Sequence, residues 1–186
     1  SKAVYALLLT AIVGLASVPF PFLPRHLTLI GTFSIGVPGL FLALAPNQHL
    51  VRPGFLGRVV RFSIPAGVIA ATATWLVYIS APRGTEAELA EARSIATLTL
   101  LGLGLVILAV VSRPLRPWKV GLVLGMAASY ALLMVTPLGR DFFELVQPPA
   151  ELWARAAVAL VVGGALIAAI PYVVPGVGLG RQIDDD

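Results

Sequence analysis

The sequence predicts an all-α, polytopic membrane protein, a six-helix transmembrane bundle whose second helix is broken. Of its 186 residues, 58% are hydrophobic and only 12% are charged, about half the charged fraction of an ordinary soluble domain. Apolar runs of roughly 18 to 22 residues recur along the chain and are long enough to cross a hydrocarbon core as helices. The runs show no strict alternation of polar and apolar residues, so we expect helices rather than strands.

The six runs define one transmembrane domain that covers the whole chain. The spans are predicted at about 4–22, 27–45, 62–81, 95–111, 120–137 and 154–174. Three prolines, Pro19, Pro21 and Pro24, forbid a regular helix at the end of the first span, so a tight turn is expected at Arg25 and His26.

The charges between the spans predict the orientation of the chain in the membrane. Two connections are basic and contain no acid, which predicts that they are cytoplasmic. These connections carry Arg52, Arg58 and Arg61, and then Arg113, Arg116 and Lys119. The alternate connections are mixed or acidic and carry Arg83, Glu86, Glu88, Glu91, Arg93, Arg140, Asp141, Glu144 and Glu151. We therefore expect a multi-pass protein of the plasma membrane with both termini in the cytoplasm.

Several function classes are excluded or disfavoured by composition. The chain has a net charge of +4, but its basic residues are scattered at the ends of apolar runs rather than gathered in one patch. No nucleic-acid partner is therefore expected. The chain has no cysteine and therefore no thiolate metal site. His26 and His49 fall on opposite sides of the membrane and cannot share a metal. No catalytic residue is predicted, because the chain has neither a nucleophile elbow nor a phosphate-binding loop.

The second span holds the candidate ion pathway. Gly36 and Pro38 lie in its middle, which predicts a kinked or unwound segment with free backbone carbonyls. Together with these carbonyls, the hydroxyls of Thr28, Thr32 and Ser34 could ligate a hard cation. A kink that merely fits neighbouring helices is the alternative. No acidic residue lies inside any predicted span, so a self-contained proton pump is disfavoured and a cation site here would be weak.

Small residues at four-residue spacing mark the fifth span as a packing helix. Gly121, Gly125 and Ser129 fall on one helix face and would let another helix approach closely. We favour packing within the chain over dimerisation.

The region around the second span resembles a known family. Residues 20–31 (FPFLPRHLTLIG), the sequence IGVP at 35–38, and residues 42–47 resemble the fifth and sixth transmembrane helices of P-type cation-transporting ATPases, in particular the actinobacterial branch called cation-transporting ATPase E. The chain would then supply the last six of ten transmembrane helices. In better known calcium pumps of this family an Asn and an Asp precede the Gly-x-Pro step, whereas Gly31 and Ile35 stand here.

The resemblance implies a role for the chain as part of a longer protein. That protein would couple ATP hydrolysis, through an aspartyl phosphate and with Mg²⁺, to movement of a cation, with calcium favoured. The phosphorylated Asp and the nucleotide site would belong to an upstream half that this chain lacks, and the bilayer and the transported cation would be its other partners. The alternative is a self-standing six-helix protein that acts as a passive transporter or an interaction subunit. Because the chain starts at Ser1 rather than Met, we favour a truncated or processed product.

Overall fold

The computed structural model describes residues 1–44, 55–113 and 117–174, and regular structure in these ranges is entirely helical. The helices are α1 (Lys2–Ala16), α2 (Pro24–Gly31), a π-helical segment (Thr32–Gly36), α3 (Val37–Leu44), α4 (Phe55–Ser80), α5 (Glu86–Val111), α6 (Pro117–Val135), α7 (Pro137–Phe143) and α8 (Ala150–Val173). His49, Arg52, Arg116 and the residues after Val174 lie outside the described residues.

Four helices of the described residues are long and apolar enough to cross a membrane. They are Gly57–Ser80, Glu86–Val111, Pro117–Val135 and Ala150–Val173. Helix α1 is apolar but only 15 residues long, and the second predicted span is divided among α2, the π-helical segment and α3. The structure thus supports an all-helical membrane protein, whereas the predicted count of six spans is not confirmed.

The first two predicted spans meet at a different place from the one expected. Helix α1 ends at Ala16, and Ser17 adopts a left-handed backbone conformation with φ of 50°. The turn between the spans therefore lies at residues 17–23, and Arg25 and His26 belong to the first turn of α2. Pro24 begins this helix, where the missing N–H costs nothing because the first N–H groups of a helix have no intrahelical partner. The prolines thus start a helix as well as end one.

Helix α5 lies at the centre of the bundle. Ala92 and every residue from Ser94 to Leu101 are buried, and the helix packs against α4, α6 and α8 and against the π-helical segment. A capping box between Thr85 and Glu88 fixes its first turn: the Glu88 N–H donates to the Thr85 hydroxyl, and the Thr85 N–H donates to the Glu88 carboxylate at 3.0 Å. This helix is the platform on which the others pack.

Side chains satisfy the irregular backbone at one end of the bundle, which we call the loop end. Here the 17–23 turn, the end of α4 and the α7–α8 connection meet. The Tyr78 hydroxyl donates to the Pro19 carbonyl at 2.7 Å, and Arg93 donates to the Phe20 carbonyl at 3.2 Å. Arg25 donates to the Phe142 carbonyl and forms an ion pair of 2.8 Å with Glu144. Buried backbone groups that lack such partners are costly, so these contacts set where the turns can lie.

Gly67 is required where α4 crosses α1. A Cβ atom added at Gly67 would lie 2.6 Å from the Val4 Cβ and 3.0 Å from the Ser1 carbonyl oxygen, distances that real Cβ atoms seldom or never show. We expect Gly67→Ala to destabilise the protein by about 1–3 kcal/mol through overpacking, although alanine favours helices. The check is the thermal unfolding midpoint of the detergent-solubilised protein.

Gly14→Ala on α1 is the matched control, because a Cβ at Gly14 meets nothing within 4 Å. Equal midpoints for the two variants would show that α1 does not pack against α4 as closely as described.

Candidate functional site

The candidate site is the helical segment from Pro24 to Leu44, which stays helical where a break was predicted. The backbone widens into a π-helical turn over Thr32–Gly36, and the Val37 N–H donates to the Thr32 carbonyl five residues back. Pro38 explains this widening, because it lacks an N–H and its ring would crowd the carbonyl four residues earlier in a regular α-helix. Single π-helical turns are frequent at functional sites.

Ser34 faces the central helix α5. Its side chain is half-buried, and its hydroxyl donates to the Ile30 carbonyl. A Cβ atom added at Gly104 of α5 would lie 3.0 Å from the Ser34 Cβ, so this glycine admits the serine at close range. Pro38, four residues further on and buried, follows on the same side of the helix.

Thr28 and Thr32 lie on a different face of the same segment. Both are exposed, as is Gly36, and their four-residue spacing places all three in one row along the helix. The Thr28 hydroxyl donates to the Pro24 carbonyl at 3.2 Å. The five predicted pathway residues are therefore not brought together at one point. Ser34 and Pro38 face the bundle, whereas the two threonines and Gly36 form an exposed row.

Two residues near this segment were missed by the sequence analysis. The Lys2 ammonium lies beside Gly31, where its Nζ would be 3.0 Å from an added Cβ. The Tyr130 ring of α6 packs edge-on against Phe33 at 6.5 Å between centroids, and its buried hydroxyl has no hydrogen-bond partner among the described residues. Lys2 lies just before the first predicted span, and nothing in the sequence pairs Tyr130 with Phe33.

The described residues offer no ready-made site for a metal ion. They contain no group of three or more His, Asp or Glu side chains that could hold a metal. His26, expected at the membrane interface, is fully buried, and its Nε2 atom has no hydrogen-bond partner among the residues described. The first acidic residue of the chain is Glu86, so the candidate segment presents only neutral oxygens.

The predicted packing face of the fifth span is open in the described structure. Gly121 and Gly125 are exposed, and a Cβ atom added at either meets nothing within 4 Å. The Ser129 hydroxyl donates to the Gly125 carbonyl at 2.8 Å. On α5 and α8, by contrast, Gly102 faces Leu160 and Gly163 faces Leu103 at close range. A role for the α6 face in packing stays a prediction.

Comparison with known proteins shows that the chain is homologous to the C-terminal region of proteins named Calcium-transporting ATPase, which confirms the resemblance to cation-transporting ATPases. The Calcium-transporting ATPase CtpE of Mycolicibacterium smegmatis is 34% identical over 195 aligned positions, which cover 98% of this chain and 24% of that protein. The proteins of the same name from Mycobacterium bovis and Mycobacterium tuberculosis are 37% identical over 176 positions, 88% of this chain and 22% of theirs. The chain thus spans about a quarter of the length of these relatives. No family model and no solved structure matches it.

Cysteine cross-linking tests which side of the segment faces α5. The chain has no cysteine, so the pair Ser34→Cys and Gly104→Cys can be introduced without competition from other thiols of this chain. We expect a disulfide on mild oxidation, because the two Cβ positions lie close enough for one after a small adjustment. Trypsin cleavage at the intervening arginines followed by non-reducing electrophoresis detects the joined fragments.

The control pair is Thr32→Cys with Gly104→Cys, since Thr32 lies on the exposed row. Cross-linking of the control pair as readily as the first would contradict the described orientation of the segment.

Proposed function

We propose that this chain is the transmembrane part of an ATP-driven P-type cation pump and that the cation is calcium. The observation that carries the proposal is the 34% identity to a Calcium-transporting ATPase over 98% of the chain. The sequence similarity to that protein therefore covers nearly every helix and not only the segment around Pro38. In this proposal ATP and Mg²⁺ bind to cytoplasmic domains of the longer protein, upstream of Ser1.

Six membrane spans are part of the proposal. Helix α2, the π-helical segment and α3 follow one another without interruption from Pro24 to Leu44, a helical length of about 30 Å. That length matches the hydrocarbon core of a bilayer. Helix α1 would be the remaining span, completed by residues of the longer protein that precede it. The basic connections then lie in the cytoplasm and the loop end faces outward at the plasma membrane.

The π-helical turn supplies part of the ion path in this proposal. Because Pro38 has no N–H, a carbonyl of the preceding turn lacks its usual backbone donor. Such carbonyls at membrane depth are tolerated where they line a cavity or are buried in protein. Hard cations such as Ca²⁺ prefer oxygen ligands of this kind, together with carboxylates. The exposed row of Thr28, Thr32 and Gly36 would face the upstream half of the pump, which would supply the carboxylates.

Transport by the full-length protein tests the proposal directly. The protein is reconstituted into vesicles, and ATP-dependent accumulation of calcium is compared with that of other divalent cations. Calcium uptake that requires ATP supports the pump and its ion. Uptake without ATP would favour a passive transporter, and ATP-dependent uptake of another cation would keep the pump but exclude calcium.

Pro38→Ala tests the role of the π-helical turn. Alanine restores the missing N–H, so a regular α-helix becomes possible and the carbonyl of the preceding turn regains its donor. We expect ATP-dependent transport to fall roughly tenfold, equivalent to about 1.4 kcal/mol, while the thermal midpoint stays the same or rises. Vesicle uptake and unfolding in detergent give the two measurements.

Gly39→Ala serves as the control, because Gly39 is exposed and a Cβ there meets nothing within 4 Å. If Pro38→Ala changed stability without changing transport, the π-helical turn would have a structural role only.

A further inference from the structure

A groove between α4 and α8 is not used by the proposed ion path. It has a volume of about 670 Å³, within the usual range of small-molecule sites. Its walls are formed by apolar side chains of the two helices, among them Ile69, Ala73 and Val77 from α4 and Val158, Ala159 and Val162 from α8. Both helices are long and apolar enough to cross a membrane, so hydrocarbon rather than water is the expected solvent of this groove.

A cationic side chain closes one end of the groove. Arg155 lies in α8 near its start, and its guanidinium donates to the carbonyl of Ser80, the last residue of α4. Both residues line the groove. Arg155 is exposed, and a guanidinium has five N–H donors, so donors remain for a ligand. This end belongs to the loop end of the bundle.

Among the residues that the structure describes, Arg155 has no carboxylate partner at ion-pair distance. In the part of the chain that the structure describes, Arg25 and Glu144 form the one ion pair. Glu151 precedes Arg155 by one helical turn on α8 and is also exposed, yet it makes no such contact. Trp153 is exposed two residues before Arg155, as is common for a tryptophan at a membrane interface. No described carboxylate therefore neutralises this positive charge, which lies at the depth where lipid headgroups begin.

The length of the groove indicates what fills it. From Val68 to Ser80 the α4 wall runs about 18 Å at 1.5 Å per residue, close to the roughly 15 Å of one bilayer leaflet. A transmembrane helix of a partner would need a groove along the full span. One acyl chain of a lipid whose headgroup lies at Arg155 needs a groove only as long as one leaflet.

We propose that the α4–α8 groove binds one acyl chain of an anionic phospholipid, whose phosphate accepts hydrogen bonds from Arg155. Guanidinium groups bind phosphate through paired N–H donors, and a positive charge that no described carboxylate neutralises favours a lipid with net negative charge over a zwitterionic one. The site is independent of the proposed ion path, so it stands or falls separately from calcium transport.

Native mass spectrometry of the full-length protein tests this site. The protein is mixed in detergent with phosphatidylglycerol or phosphatidylcholine that carry the same acyl chains. We expect the unmodified protein to bind phosphatidylglycerol more tightly than phosphatidylcholine. The Arg155→Gln variant should bind phosphatidylglycerol about tenfold more weakly than the unmodified protein, as expected for the loss of a charge-assisted hydrogen bond. Arg140→Gln is the matched control, since Arg140 also belongs to the loop end but does not line the groove. Equal binding of the two lipids, or equal loss in both variants, would overturn recognition of the headgroup by Arg155.

A second pair of variants tests the groove itself. Val162→Trp should fill the groove and lower retention of phosphatidylglycerol, whereas Val161→Trp should not. Both valines are exposed on α8, by 54% and 71% respectively, and only Val162 lines the groove. Equal retention by the two variants would exclude the groove as the lipid site. A photoreactive residue at position 162 that cross-linked to a protein rather than to lipid would likewise overturn the proposed occupant.

Discussion

Every backbone carbonyl in this protein needs a hydrogen-bond donor, and the rest of the structure depends on that constraint. In hydrocarbon no water can supply that donor, so regular helices carry most of the chain, and irregular backbone gathers where side chains can reach it. At the loop end, Tyr78 and Arg93 serve the carbonyls of the 17–23 turn, and Arg83 serves those of Tyr78 and Ala81. At the other end Lys119 donates to the Ser112 carbonyl at 2.8 Å. The charged residues that orient the chain thus also cap its helices.

The same constraint explains the form of the candidate site. Pro38 removes one donor from the middle of the second predicted span, and the chain responds with a wider turn rather than with an unwound segment. A π-helical turn keeps most hydrogen bonds by shifting each one a residue further along the chain. It can form beside α5 because Gly104 leaves room for Ser34. The position of the turn therefore depends on two residues from different helices: Pro38, which lacks a backbone N–H donor, and Gly104, which lacks a side chain.

Much of the helical architecture follows from hydropathy alone, since a long apolar run has few alternatives to a helix. The sequence IGVP also located the irregular turn, because proline and glycine act on the backbone at their own positions. The shape of the turn could not be predicted, since it depends on the packing of Ser34 against Gly104 from another helix. The end of α1 at Ala16 depends likewise on distant donors such as Tyr78, and α7 is too short to leave a hydropathy signal. The sequence analysis grouped Thr28 and Thr32 with Ser34, because the face on which each hydroxyl lies depends on the neighbouring helices.

The distribution of acidic residues determines how the proposed pump can hold a cation. The candidate segment offers hydroxyls and carbonyls, and such neutral oxygens alone offset little of the cost of removing a divalent ion from water. The acids described in this chain begin at Glu86 and belong to the first two turns of α5, to α7 and the connection after it, and to the first turn of α8. Lys2 beside Gly31 adds a positive charge that opposes a bound cation. In the proposed pump, carboxylates would then come from the upstream half, and the exposed row of Thr28, Thr32 and Gly36 would be the face on which that half completes the site.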